Sequence, residues 1–286
     1  MPNRLGPAFH GKKSDSCSSF EESSSKSRTP PQQSTPPNDC HEDIQRWINH
    51  ATHALEHYGV NHIATAGAFL DLGQAYLRIQ DYASAQDVCK TAVRVFKRTC
   101  RLDQSSGEND SENENSLRLA KALDVLGLAQ TAGGKSITIN EGNDTDPHAT
   151  NGQDKTALLL GIQSFRKSFR IRLDKLGPTH VDTVETLNKI ANAYMALGMY
   201  SGACADFKEV MQLRTAIMGE HHPSVAVAAQ SVGLAYFKLN ENDQAKAYYL
   251  QALNIFAVSG LANHKVAKKL RDDIAHLGFD LARVEI

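Results

Sequence analysis

The sequence is short of the residues that usually announce special chemistry. Among its 286 residues there is one tryptophan, and the five cysteines (Cys17, Cys40, Cys89, Cys100 and Cys204) are odd in number and widely spaced, with no CxxC pair. That argues against a disulfide framework or a cysteine-based zinc module, and for a reducing compartment. An excess of one charge is also missing. Lys plus Arg (31) nearly cancels Asp plus Glu (32), for a net charge of −1, so bulk positive charge cannot drive binding to nucleic acid. No apolar run approaches the roughly 18 residues of a membrane span. The polar, Ser-rich beginning of the sequence holds no apolar signal segment. These gaps leave a cytoplasmic protein, with no cofactor or metal implied.

What is present is unevenly spread. Six of the nine prolines and nine serines fall in residues 1–40, a segment too poor in large apolar side chains to offset its ordering entropy; it is expected to be a disordered tail. Within it Thr29 and Thr35 precede prolines, as proline-directed phosphorylation requires. Residues 102–115 are acidic, and 132–155 are rich in Gly, Asn and Asp; both are expected as loop inserts. The remainder has helical periodicity. In 41–59, Ile44, Trp47, Ile48, Ala51, Leu55 and Tyr58 share one stripe. In 261–286, Leu261, Val266, Leu270, Ile274 and Leu277 share another. Both segments are expected to be capping helices. No long strand-like alternation occurs, so the fold class is all-α.

Between the caps, residues 60–260 repeat themselves. IANAYMALGMYSGACADF (190–207) aligns without a gap on VGLAYFKLNENDQAKAYY (232–249), an offset of 42, and LGQAYLRIQDYASAQDVC (72–89) is a third copy. A fourth is split between LGLAQ (126–130) and GIQSFRKSFRIRLDKLG (161–177). The small residues Gly73, Gly127, Ala191 and Gly233 are spaced by 54, 64 and 42. The excesses over 42 are each within two residues of the length of the corresponding compositional insert. Each copy reads as a helix hairpin. A small residue lets two backbones approach, with Tyr76, Tyr194 or Tyr236 three residues on to cover the contact. The second helix offers Ala85, Gly161, Ala203 or Ala245, followed by Cys89, Phe165, Phe207 or Tyr249. A single hairpin cannot bury its own apolar faces, so neighbours must stack.

This pattern resembles the tetratricopeptide repeat over roughly 61–258. The 42-residue period, with GPTH (177–180) and GEHHP (219–223) between units, is similar to the kinesin light chain type, and TLNKIANAY (186–194) to that family's leucine-asparagine-asparagine motif. The other copies carry Leu70, Asp124 and Gln230 where Asn188 stands, and the second has Gln130 in place of the tyrosine. The resemblance implies a right-handed superhelix of about four hairpins, whose first helices line a groove. In that register Gln74, Arg78, Lys121, Asp124, Asn188, Lys189, Asn192, Gln230 and Lys238 face the groove. Amides there can donate to and accept from a peptide backbone, and the cations favour carboxylates.

Chemistry-bearing motifs are few. AQTAGGKS (129–136) satisfies a relaxed phosphate-loop pattern, but a phosphate loop needs a strand before it and a helix after it, and here a helix precedes. His50, His53 and His57 fall on one helical face, as zinc ligands do, but opposite the apolar stripe and with no carboxylate or cysteine to complete a site. No nucleophile–base pairing stands out. The resulting expectation is a non-catalytic scaffold that binds a peptide or partner protein in the groove. A nucleotide-binding protein using 129–136, or a self-assembling subunit, is the alternative.

Overall fold

Ten helices occupy the described residues: α1 (Asp39–Tyr58), α2 (Ile63–Arg78), α3 (Tyr82–Ser106), α4 (Asn109–Ser136), α5 (Gly152–Leu176), α6 (Val181–Leu197), α7 (Tyr200–Met218), α8 (Pro223–Lys238), α9 (Asn242–Val258) and α10 (Lys265–His276). The computed structural model describes residues 39–106, 109–136, 152–262 and 264–276. The expected tail up to residue 38, with Thr29 and Thr35, lies outside them, as do residues 137–151. Each helix packs on the next, so the chain is a stack of consecutive pairs, α2/α3, α4/α5, α6/α7 and α8/α9, between α1 and α10.

The punctuation is chemical and repeats. Within hairpins the turn needs one left-handed residue, supplied by Gln80 (φ 64°), Gly198 (φ 80°) and Asn240 (φ 61°). The next amide, of Asp81, Met199 or Glu241, then donates to the carbonyl of Tyr76, Tyr194 or Tyr236 at 3.0, 2.9 and 3.0 Å, satisfying helix-end acceptors. Between hairpins Gly59, Gly177 and Gly219 take the left-handed position. Three residues later a histidine begins the next first helix. His62, His180 and His222 cap α2, α6 and α8, with each Nδ1 accepting the amide two residues on at 3.2, 3.2 and 3.1 Å. His264 does the same for α10 at 3.4 Å.

The close approaches fall where the repeat register puts them. A Cβ on Gly73 would lie 2.4 Å from Cys89 Sγ, one on Gly127 2.7 Å from the Phe165 ring, and one on Gly233 2.8 Å from the Tyr249 ring. In the third hairpin Ala191 shares a buried cluster with Ala203 and Phe207. The tyrosines differ from expectation. Tyr194 and Tyr236 reach back to the preceding hairpin, where Arg166 and Lys208, themselves one repeat period apart, donate to their hydroxyls. Gln130, standing where the tyrosine belongs, instead accepts from Ser164 Oγ at 2.8 Å.

The inserts are mostly helix where they are described. Residues 102–106 prolong α3, 109–115 prolong α4, and 132–136 and 152–155 extend α4 and α5. Once a neighbouring helix already stands, adding a turn avoids the cost of nucleation, and Glu114 pairs with Arg118 one turn on at 2.6 Å.

Both end helices bury narrower stripes than expected. On α1, Ala51 and Ala54 are buried against Ala68 and Leu72 of α2, with Trp47 and Ile48 beside them, whereas Leu55 and Tyr58 are exposed. The hydroxyl of buried Thr65, shared between the Ala54 and Gly59 carbonyls at 3.0 and 2.7 Å, ties the end of α1 to the start of α2. On α10, Ala267, Leu270 and Ile274 join the α8/α9 core. Val266 faces out, and Leu277 lies outside the described residues.

Candidate functional site

The first helices α2, α4, α6 and α8 carry the expected groove residues, and α2 touches α4 directly. Of those residues, Arg78, Lys121, Asn192 and Lys238 are exposed or half-exposed on their helices, and Gln74, Asn188, Lys189 and Gln230 are half-buried. Asn192 spends its amide N–H on the Asn188 carbonyl at 2.8 Å, leaving its oxygen free to accept. Gln74 Nε2 is a buried donor with no partner.

Asp124 departs from expectation: it is buried, with 3% of its surface exposed. Its Oδ2 accepts from Arg172 Nη1 of α5 at 2.5 Å and from Lys189 Nζ of α6 at 2.8 Å. Arg172 also donates to the Thr186 hydroxyl and, at 3.5 Å, to the Asp182 carbonyl. Lys189 is therefore committed to a cluster joining the second and third hairpins, in which two cations share one carboxylate.

The face also has apolar members, which the polar residues of the sequence pattern do not mark. The position after each small residue is Gln74, Leu128, Asn192 and Leu234, and both leucines are exposed, at 37% and 42%. The position of Lys121 recurs as Glu185 and Val227, with Val227 43% exposed. The same register that located the amides would have located these three apolar residues, had apolar side chains been admitted to it.

At the edge of this face is a cleft of about 270 Å³, lined by Val181, Val184 and Glu185 of α6, Arg214 and Met218 of α7, and Val227 of α8, among others. Arg214 Nη1 donates to the Ser224 carbonyl at 3.2 Å. Burial pulls its pKa down from the ordinary guanidinium value, and the Glu185 charge pushes the other way.

Other sequence candidates fall away on geometry. Residues 129–136 are helical in α4 and Ala129 is fully buried, so their backbone amides run along a helix instead of converging on a phosphate. The nucleotide reading of AQTAGGKS is thereby corrected, because a helix C-terminus presents carbonyls, not the amides that hold an anion. His50, His53 and His57 are exposed on α1, and the described residues contain no group of three metal-ligating side chains. Cys89, Cys100 and Cys204 are buried thiols. Burial pushes the Cys89 pKa up to about 12 and raises that of Cys204 against the opposing pull of Lys208, which keeps both thiols protonated and unreactive. Among the described residues no helix is long and apolar enough to cross a membrane.

Residues 182–257, covering α6 to α9, match the tetratricopeptide repeat family profile. These two hairpins match as tetratricopeptide repeats. The fold of the chain is similar to that of the nearly identical TPR-like repeats from a Podosopora anserina protein assigned as a kinesin light chain, with a TM-score of 0.59 at 15% identity over 77% of this chain and 88% of that one. A single-substitution variant of the same protein gives a TM-score of 0.60 at 15% identity, with the same 77% and 88% coverage. No curated protein matches the sequence. The spacing of the matched units is the 42-residue period already visible in the sequence.

Proposed function

We propose that this tetratricopeptide-repeat chain is a non-catalytic cytoplasmic scaffold that holds an extended segment of a partner protein across α2, α4, α6 and α8. The supporting observation is the row Gln74, Leu128, Asn192 and Leu234, which offers an amide and an exposed leucine in turn on successive first helices. Amides pair with a peptide backbone, and exposed leucines gain by being covered, at roughly 25 cal/mol for each Å² removed from water. Arg78, Lys121 and Lys238 add positive charge at the margins, which favours acidic partners and speeds encounter.

Peptides selected from a displayed library against the full chain provide the test. The double variant Asn192→Ala/Leu234→Ser should weaken the selected peptides at least tenfold while far-UV circular dichroism and melting temperature hold. Undiminished affinity in that variant removes this face as the binding site.

A further inference from the structure

The exposed sides of the second helices are alike in register and unlike in charge. On α3, Lys90, Arg94, Lys97, Arg98 and Arg101 are all exposed. At 3.6 residues per turn they share an arc of about 100°, opposite the buried Phe96, over about 16 Å of helix. α5 continues the stripe with Arg166, Lys167 and Arg170, likewise exposed on the side away from buried Phe165. The two helices are neighbours, because Ile171 of α5 packs on the core cluster that holds Val95, Phe96 and Cys100 of α3. Among the described side chains of these helices, the exposed carboxylates are Asp87 and Asp174, and each already faces a lysine of its own helix, Lys90 and Lys175. The fold does not require this charge. The place of Arg94 and Arg170 is held by Gln212 on α7 and Asn254 on α9, and that of Arg98 by Asp174, Ala216 and Val258. All of these are exposed as well. Apolar side chains flank the cations. On α5, exposed Leu159 and Leu173 bracket them on the same side, and Leu102, following Arg101 on α3, is at 59% the most exposed large apolar residue among those described.

We propose that this side of α3 and α5 docks the chain peripherally on an anionic lipid bilayer. Lys and Arg are drawn to negative headgroups, and that attraction holds firmly only when a second one joins it. Here the second is the set of leucines, which gain by leaving water at the acyl boundary. Five of the eight stripe cations are arginines, whose paired donors fit phosphate oxygens. A nucleic acid fits less well. It would leave the leucines uncovered, and neither helix has an exposed aromatic side chain among the described residues on which a base could stack. The acidic sequence 103–114 begins only after Arg101 and sets one border of the surface. No helix among the described residues is long and apolar enough to cross a membrane, so the contact is with the bilayer surface. The stripe lies away from the buried side of each second helix, so the row Gln74, Leu128, Asn192 and Leu234 stays open to a partner segment.

The test is flotation of the full chain with vesicles of phosphatidylcholine alone, or with about one third of it replaced by phosphatidylserine. Binding is expected to the mixed vesicles only, and to weaken steeply as salt rises. The triple variant Arg94→Gln/Arg98→Gln/Arg170→Gln gives two of these sites the residue type that α7 carries there. It should lower the affinity about a hundredfold with circular dichroism unchanged. Leu159→Ser/Leu173→Ser should lower it about tenfold and leave binding to heparin as it was. Leu173→Trp should shift its emission to the blue on mixed vesicles, whereas the parent, with Trp47 on α1 as its one tryptophan, should show no shift. Equal binding to both vesicle types, or to neither, would overturn the proposal. So would full affinity in the triple variant, or an unshifted Leu173→Trp. Tighter binding to a polyuridine oligonucleotide than to mixed vesicles at equal salt would overturn it in favour of nucleic acid. Full displacement by inorganic phosphate would overturn it in favour of a phosphate site that needs no bilayer. The triple variant leaves the first-helix row intact, so peptides selected on that row should bind it as they bind the parent, whichever way the vesicle result falls.

Discussion

Two kinds of single residue hold the turns of this chain, a third titrates within a helix, and each answers to a different perturbation. Gln80 occupies a left-handed backbone position that a glycine fills in the third hairpin. A side chain there is strained by about 1 kcal/mol, so Gln80→Gly should stabilise the chain by roughly 0.5–1 kcal/mol in denaturant titration. Asn240, whose side chain tolerates that region, should gain less on the same change. The histidine caps act through one ring nitrogen. Removing the acceptor by His180→Ala should cost about 1 kcal/mol, whereas His180→Asn, which preserves a side-chain acceptor, should cost a few tenths. Asp206 is a pH-dependent case. Burial, reinforced by the like charge of Glu209 and opposed by Arg166, lifts its pKa from 3.8 to about 6. A carboxyl whose folded pKa is raised favours the fold at acid pH, and this contribution is lost as pH rises through about 6. Asp206→Asn should therefore match the parent in denaturant midpoint at pH 4 and exceed it at pH 7.5.

At the scale of helices, the hairpins are held by contacts that leave no room for a methyl group. Phe207, fully buried over Ala191, should cost about 3–5 kcal/mol on truncation to alanine, read from equilibrium unfolding of α7-containing structure. Removing Arg172 strands the buried Asp124 with only Lys189, so Arg172→Ala should cost on the order of 3 kcal/mol. Much of this level was legible in the sequence. Alignment alone located the small residues Gly73, Gly127, Ala191 and Gly233 and the large ones Cys89, Phe165, Phe207 and Tyr249, but it assigned the cover of the small residues to the tyrosines; the pairing of small with large across each hairpin comes from the packing. Two further things were not legible. Composition marked 102–115 as loop, since Asn, Asp and Ser favour turns, but the flanking helices were already nucleated and extended into it. The ion cluster around Asp124 was hidden because the register fixes where a residue sits on its own helix and not what a neighbouring second helix brings to it. Arg172 lies 48 residues from Asp124, on a second helix, outside the first-helix register.

Over the whole molecule, each helix is in contact chiefly with its sequence neighbours, so stability is close to a sum of units and junctions. The end helices have one neighbour where the inner ones have two. Hydrogen exchange should be fastest in α1 and α10, slower in α2 and α9, and slowest in α4 to α7. Uniform protection across all ten helices would mean that the stack unfolds as a single cooperative block.

The histidine that opens α10 has a wider consequence. His264 follows His222 by the same interval that separates His222 from His180, so the last helix enters through the doorway used by every earlier unit but one. Each 42-residue block therefore carries its own entrance, hinge and latch, and length can change by whole blocks without redesigning a joint. A second copy of residues 181–222 spliced in after position 222 would find both of its edges already cut to fit.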